Sequence, residues 1–514
     1  QNIVIQPQGG FKRRPGTKYL ATLPSSAADG VRFVHFEFSV NDSYMLIFVD
    51  ERMYVFKDGV QITNINGSGN DYLTVTRITD AVIPTMCWAQ SADTLIIVQE
   101  GMIPQRILRG ASDSSWTVSD LSFTFVPKYA YTLSTTSPAA TLTPDQPDGN
   151  ITLTASTSVF NSSHVDQYIN VSPQGRLRIV AYKSGTEVQA ISEVPLFDDS
   201  AIASGDWDLE TGYEDTWSAT RGWPRSAVFY EGRLYMGGAS SRPSTIWGSR
   251  VGDFFNFDPG ESFDDAAVEA TLDTGRFNAI IDLYAGRNLQ IFTTGGEFYI
   301  PQTLGDPVTP ANLSVQEQTA NGVRPGIRVV NVDGAVVFVQ RQGKALAEFI
   351  FSDTDNGYIA TKISLLSSHL LKSPSDMAIR NATSTDEGNR LLITNADDGS
   401  IACYTLLRSQ EIIAPSEWTT DGEFVAVGVD ISDTYTIVKR NINGSDAYYV
   451  ELFEEDLTLD CAKTGTTATT ITGLSFLEAE TVKVIRDGIV EADKTVSSGS
   501  VTLDREATES YSVG

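Results

Sequence analysis

Five carboxylates crowd into one short stretch of the chain: Asp253, Asp258, Glu261, Asp264 and Asp265. Two chemistries use such a group. Oxygen ligands gathered on a loop can hold a hard cation, and two carboxyls facing one scissile bond can form the acid pair of a glycosidase. A third reading makes them turn formers on a solvated acidic surface. Spacing alone leaves all three open, with Asp253, Asp258, Asp264 and Asp265 as the cation candidates. The basic counterpart is Lys12, Arg13 and Arg14, the densest positive run in the chain, stopped by Pro15 and Gly16. It reads either as a solvated arm or as a strip that docks on an acidic neighbour.

Other chemistry-bearing types are sparse. Histidine occurs only at His35, His164 and His369, and cysteine only at Cys87, Cys403 and Cys461, too scattered for a zinc spacing or a disulfide framework. Asp353-Thr354-Asp355-Asn356-Gly357 opens like a calcium loop, but its twelfth position is Ser364 instead of Glu, so a connecting turn is expected. Asn395 to Gly399 and Asn441 to Gly444 read as hairpin turns. No P-loop, dinucleotide fingerprint, HExxH or nucleophile elbow is present. The expectation is therefore no cofactor, no catalytic residue and no enzyme.

The elements that must carry these residues are strands. Segments such as FVHFEFSV, YMLIFVD and AVVFVQ are β-branched and aromatic and end in Asp, Asn or Gly turns. Only residues 363–380 offer a helical alternative, and Pro374 interrupts it. A paired-strand unit recurs: SYMLIFVDERMYVFKDG, DTLIIVQEGMIPQRILRG, GRLYMGGASSRPSTIWGS, RNLQIFTTGGEFYI, GAVVFVQRQGKALAEFIF, NRLLITNADDGSIACYTLL and DTYTIVKRNINGSDAYYVELF. Copies lie about 45 to 55 residues apart, the period of propeller blades, except for one gap of about 139. The expected fold is all-β, a β-propeller of about seven blades, six or eight also being compatible, with an inserted β domain and a C-terminal β module.

The expected boundaries are an N-terminal arm and first blades over 1–111, the insertion over 112–217, the remaining blades over 218–460, and a further β module from 461. That module is expected to continue past residue 514, and the start at Gln1 suggests a trimmed N-terminus.

The chain of 514 residues has 37 Lys+Arg against 65 Asp+Glu, a formal charge of −28. Such acidity argues against gripping nucleic acid through its phosphates. A hydrophobic share of 41% supports a real core, and the apolar runs are far too short for a membrane helix.

The stretch from Trp223 to Thr274 resembles the tail nozzle proteins of short-tailed bacteriophages, the tail tubular protein B group. Trp223, Pro224, Arg233, Leu234, Trp247, Gly248, Ser249, Gly252, Asp253, Phe254, Phe255, Asn256 and Phe257 match that family's phrase. Asp264, Asp265 and Glu269 match its acidic continuation, from which Ala266 and Ala267 depart. GGFKRRPGTKYLATL resembles the family's opening. TLTASTSVFNSSHVDQYI, with Phe160 and His164, resembles another segment in which Asp166 stands where glycine is usual.

The resemblance implies a virion tail protein with no enzymatic role. Copies would form a ring, expected to be a homohexamer, below the portal and its adaptor. Double-stranded genomic DNA would pass through the bore without sequence-specific binding. Tail fibres or tip proteins and the host envelope would be its other neighbours, and Lys12, Arg13 and Arg14 its adaptor-docking candidates. The alternative from a different class is a secreted or periplasmic propeller that binds or hydrolyses polysaccharide, with Asp264 and Asp265 at its centre.

Overall fold

The computed structural model describes residues 1–514 apart from 130–133, 212–213, 260–262, 302–306 and 386. Among the described residues the only helical elements are 3-10 turns of three or four residues. The helical alternative at 363–380 does not form, in keeping with the all-β reading. Ser368–Leu370 is a single 3-10 turn, and Pro374–Arg380 is a strand. Proline is tolerated there because it opens the strand.

Among the described residues seven four-stranded antiparallel sheets form the propeller. Each of the seven recurring sequence units is the second and third strand of one sheet, joined by a tight turn. The innermost strands are Val31–Ser39, Cys87–Ser91, Ser226–Tyr230, Ile280–Ala285, Val330–Val332, Pro374–Arg380 and Glu423–Asp430, which open blades one to seven. Blade one carries an additional short strand, Leu73–Thr74, on its third strand.

Adjacent sheets bury their apolar faces on each other. Seven separate clusters fill the seven inter-blade spaces, such as Phe36, Phe48 and Trp116 between blades one and two, and Phe292, Phe338 and Phe349 between blades four and five. A twisted sheet cannot cover both faces alone, so the stack must close on itself. Closure comes from Gly16–Leu23, which pairs with Ser445–Glu454 and supplies the outer strand of blade seven.

The insertion begins later than 112. Trp116–Asp120 pairs with Met102–Arg109 as the outer strand of blade two, and Trp116 is buried in the cluster between blades one and two. The inserted domain is entered and left through a two-stranded neck, Lys128–Tyr129 against Glu214–Asp215. Its seven-stranded sheet packs around its own core of Leu142, Leu153, Ile179, Val188 and Trp207.

The C-terminal module packs Ile471, Leu474, Phe476 and Val484 together against Tyr19 and Tyr449 of blade seven. Tyr511–Val513 lies between Lys463–Gly465 and Val484–Arg486 in its sheet.

Candidate functional site

Residues 223–274 form blade three and the long loop, 249–267, between its third and outer strands. Arg233 organises that loop. Its fully buried guanidinium donates to the carbonyls of Ser249 and Ala266, each at 2.6 Å, to Asp264 at 2.9 Å and to Val308 of the next blade at 3.2 Å. Burial pulls its pKa below the usual arginine value. Gly248 is required where it stands, because a Cβ there would meet Val268 at 2.7 Å and Tyr235 at 2.8 Å. Trp247 donates its indole N–H to Glu269 at 3.0 Å, and Trp217 packs edge-on against Trp247 and Phe257. Phe254 packs edge-on against Phe229, and the Trp223 N–H donates to the Glu100 carbonyl just before Pro224.

The same loop seats the inserted domain. Thr124 donates its N–H to the Phe255 carbonyl at 2.9 Å, and Phe257 donates to Phe125 at 3.1 Å. Arg178 of the inserted sheet reaches across to Asp258 at 3.0 Å. The family-motif residues thus build a blade and the seat of its insertion.

The cation reading is not supported. Asp258 is taken by Arg178, Asp265 faces Arg250 at 3.5 Å, and Asp253 accepts from Asn256 at 3.0 Å. Asp264 contributes its backbone carbonyl to Arg233. Among the described residues no group of three His, Cys, Asp or Glu side chains converges as a metal site. Glu261 lies outside the described residues.

Lys12, Arg13 and Arg14 each bond to the segment that leaves blade seven, and Arg14 alone is buried. Lys12 pairs with Glu455 at 2.8 Å, and Arg13 donates to the Thr458 carbonyl. Arg14 holds Asp460 through both guanidinium nitrogens at 2.5 and 2.9 Å, and donates to the Thr419 carbonyl at 2.7 Å. Burial would raise the Asp460 pKa, but the Arg14 bonds hold it below the ordinary carboxylate range. Arg14 is therefore not a free docking group: it fastens the N-terminal arm to the segment that leaves blade seven, while Lys12 stays part-exposed and Arg13 exposed. His35 lies 3.1 Å from Asp430, and His164 caps a 3-10 turn with Asn161. Asp353–Gly357 is the turn into the outer strand of blade five, where Ser352 donates to Asp355 at 2.6 Å.

A polar constellation on the propeller axis escaped the sequence reading. Arg32 of blade one donates to Asp376 of blade six at 3.2 Å and to the carbonyls of Pro84 and Gly326, each at 2.7 Å. Arg328 donates to Asp282 of blade four at 2.8 Å and to the Trp88 carbonyl of blade two at 3.0 Å. Arg225 pairs with Glu100. A cavity of about 180 Å³ beside these groups is lined by Cys87, whose thiol burial pushes up to about 12. The available signal was a single charge inside an otherwise apolar inner strand, as in VRFVHF, AIIDLY and PSDMAI.

Charge also differs between the two ends of the propeller. One end carries the turns from first to second strand and, in blades one to six, from third to outer strand. Its described turn residues include thirteen acidic side chains against three arginines. Each arginine is near a carboxylate: Arg250 with Asp265, Arg287 with Asp353 at 3.7 Å, and Arg408 with Glu348 at 2.6 Å. The described turns and connectors of the other end, leaving aside the insertion, hold ten acidic against nine basic residues.

No family model matches the chain, and no curated protein matches it. Among solved structures it is similar to BBS1N in complex with ARL6DN, at 9% identity and a TM-score of 0.31, covering 87% of this chain and 96% of that one. The Nup133 β-propeller domain of Vanderwaltozyma polyspora aligns at 10% identity and a TM-score of 0.27, covering 88% and 100%. The phage phi92 endosialidase aligns at 9% identity and 0.24, covering 96% and 73%. Scores this low carry no functional argument, and the propeller assignment rests on the sheet topology above.

Proposed function

We propose that this chain is a structural subunit of a short-tailed bacteriophage tail, a ring-forming nozzle through which the double-stranded genome leaves the particle. The observation that carries the reading is the acidic end of the propeller. Duplex DNA carries one negative charge per about 1.7 Å. A wall of the same sign repels it over a Debye length of roughly 8 Å at physiological salt. Arginines already beside carboxylates add little grip on phosphate. We assign this end to the bore.

Two further observations support the reading. Asp166 has φ +67°, the left-handed region that favours glycine, at the position where the resembling family has glycine. The axis of a single propeller is crossed by the Arg32 and Arg328 bonds, so a duplex-wide passage requires several copies around it. Attachment to an adaptor, contact with tail fibres or tip proteins and a location in the virion tail belong to the same proposal. The polysaccharide reading needs Asp264 and Asp265 as working acids; Asp265 faces Arg250 at 3.5 Å, and Asp264 is held to Arg233 by its backbone carbonyl.

Negative-stain electron microscopy of the purified protein tests this, together with gel retardation of duplex DNA at low salt. Rings with an open bore and no retardation are expected. A monomer that cleaves a glycan, with activity lost in Asp264→Asn, would overturn the proposal.

A further inference from the structure

Two segments hold large apolar side chains out into solvent on rigid backbone. The first is the turn 364–367 in the connector from blade five to blade six. Leu346 donates its N–H to the Ser364 hydroxyl at 2.8 Å, and Ser367 donates its N–H to the Ser364 carbonyl at 3.0 Å. The Ser367 hydroxyl meets that of Tyr404 at 3.1 Å. Both serines are buried, which fixes Leu365 and Leu366 at the two middle positions of the turn, 75% and 93% exposed. Lys362 beside them ends the outer strand of blade five and is exposed, and its ammonium makes no ion pair among the described residues. No acid occurs between residues 361 and 373.

The second segment lies on the inserted domain. Leu196 is buried and donates its N–H to the Pro147 carbonyl at 2.9 Å, and Ser200 donates its N–H to the Asp198 carboxylate at 2.9 Å. Phe197, between these anchors, is 77% exposed. Asp198 and Asp199 follow it, both exposed, and no base lies between residues 193 and 199.

We infer that these two segments dock on each other between successive copies of the chain, the acid-flanked Phe197 of one against the lysine-flanked Leu365-Leu366 turn of the next. Each segment combines an apolar centre with one sign of charge, and the signs are opposite. Pairing like with like would bring carboxylates onto carboxylates, which disfavours a two-fold dimer and favours a head-to-tail contact. The connector into blade six and the connector that carries the insertion are three blade steps apart, roughly 150° around a seven-bladed ring. One copy can therefore engage a different neighbour through each segment. Fixed backbone keeps the entropy cost of docking low. This inference rests on the ring reading above and names its contact.

Sedimentation velocity on the full chain tests it with Phe197→Asp and Leu366→Asp, fold retention being followed by tryptophan fluorescence. The expected result is that wild type assembles and each variant alone loses assembly. An equimolar mixture should then recover dimers, because one intact segment of each kind remains. If wild type assembles and either variant assembles equally well, the contact is wrong while the ring reading stands. If both variants are monomers and their mixture stays monomeric, head-to-tail pairing is wrong. A wild type that is monomeric at every concentration overturns both readings.

Discussion

Tyr19 and Phe476 stack face to face, with ring centroids 3.7 Å apart and planes 3° from parallel. Tyr19 belongs to the strand that closes the propeller and Phe476 to the C-terminal module. Tyr449 meets Tyr19 edge-on at 5.2 Å and donates its hydroxyl to the Phe476 carbonyl at 2.6 Å. Removing the ring leaves a cavity at this junction, so Phe476→Ala should destabilise the protein by about 3–5 kcal/mol. Denaturant unfolding measures the loss, and limited proteolysis should then cut first within residues 463–514. An unchanged midpoint and cleavage pattern would contradict a junction held by this stack.

Arg233 joins both ends of the 249–267 loop through backbone carbonyls alone. Arg233→Met keeps much of the apolar stem but strands several carbonyl groups in a buried place, and should cost about 3–5 kcal/mol. Gly248→Ala, which forces a methyl against Tyr235 and Val268, should cost about 1–3 kcal/mol. Chemical denaturation of both variants, beside an exposed control such as Ser240→Ala, checks the order.

The Arg328–Asp282 pair on the axis sets a double-mutant test. Arg328→Met leaves the buried Asp282 carboxylate without its cation, at about 3–5 kcal/mol, and Asp282→Leu, which leaves a part-exposed Arg328 still bonded to the Trp88 carbonyl, should cost less. The double variant should be more stable than the sum of the single losses predicts. Strict additivity in denaturant midpoints would show that the pair is not coupled.

Glu297 is fully buried. One carboxylate oxygen accepts from Thr319 and from Asn321, and the other has no hydrogen-bond partner. Burial pushes its pKa up, and the Thr319 and Asn321 bonds offset only part of that. The folded form therefore holds its proton more tightly than the unfolded chain. Stability from this group is greatest at acid pH and is lost as pH rises from the ordinary glutamate range through the raised folded value. Glu297→Gln removes that slope. Melting temperatures of the two proteins should diverge, the variant gaining on wild type as pH rises from about 4 towards neutral. Parallel curves would contradict an elevated folded pKa.

Local pattern made the blades legible, because each second and third strand is a continuous hydrophobic run around a short polar turn. SYMLIFVDERMYVFKDG becomes the hairpin of blade one strand for strand. The outer strands were harder. Trp116–Asp120 is short and half exposed, and a Ser-rich turn sets it off from its sheet, so it read as the start of the insertion. The helical alternative near residue 363 failed because blade six takes Pro374–Arg380 as its inner strand, and sheet packing outweighs local propensity. Arg14 was legible as a charge but not as a buried one, since its partner Asp460 is hundreds of residues away. The axial set was hidden for the same reason. Arg32 and Asp376 meet only once the ring has closed.

That closure also dictates when the molecule can exist. Gly16–Leu23 must wait without its sheet partner until Ser445–Glu454 has left the ribosome, and the early blades stack meanwhile as an open arc with a bare face at each end. Shutting the circle brings together strands more than 400 residues apart in one late, entropically demanding step. A nascent chain halted before Ser445 should consequently remain prone to clump, whereas one that has passed Glu454 should become compact.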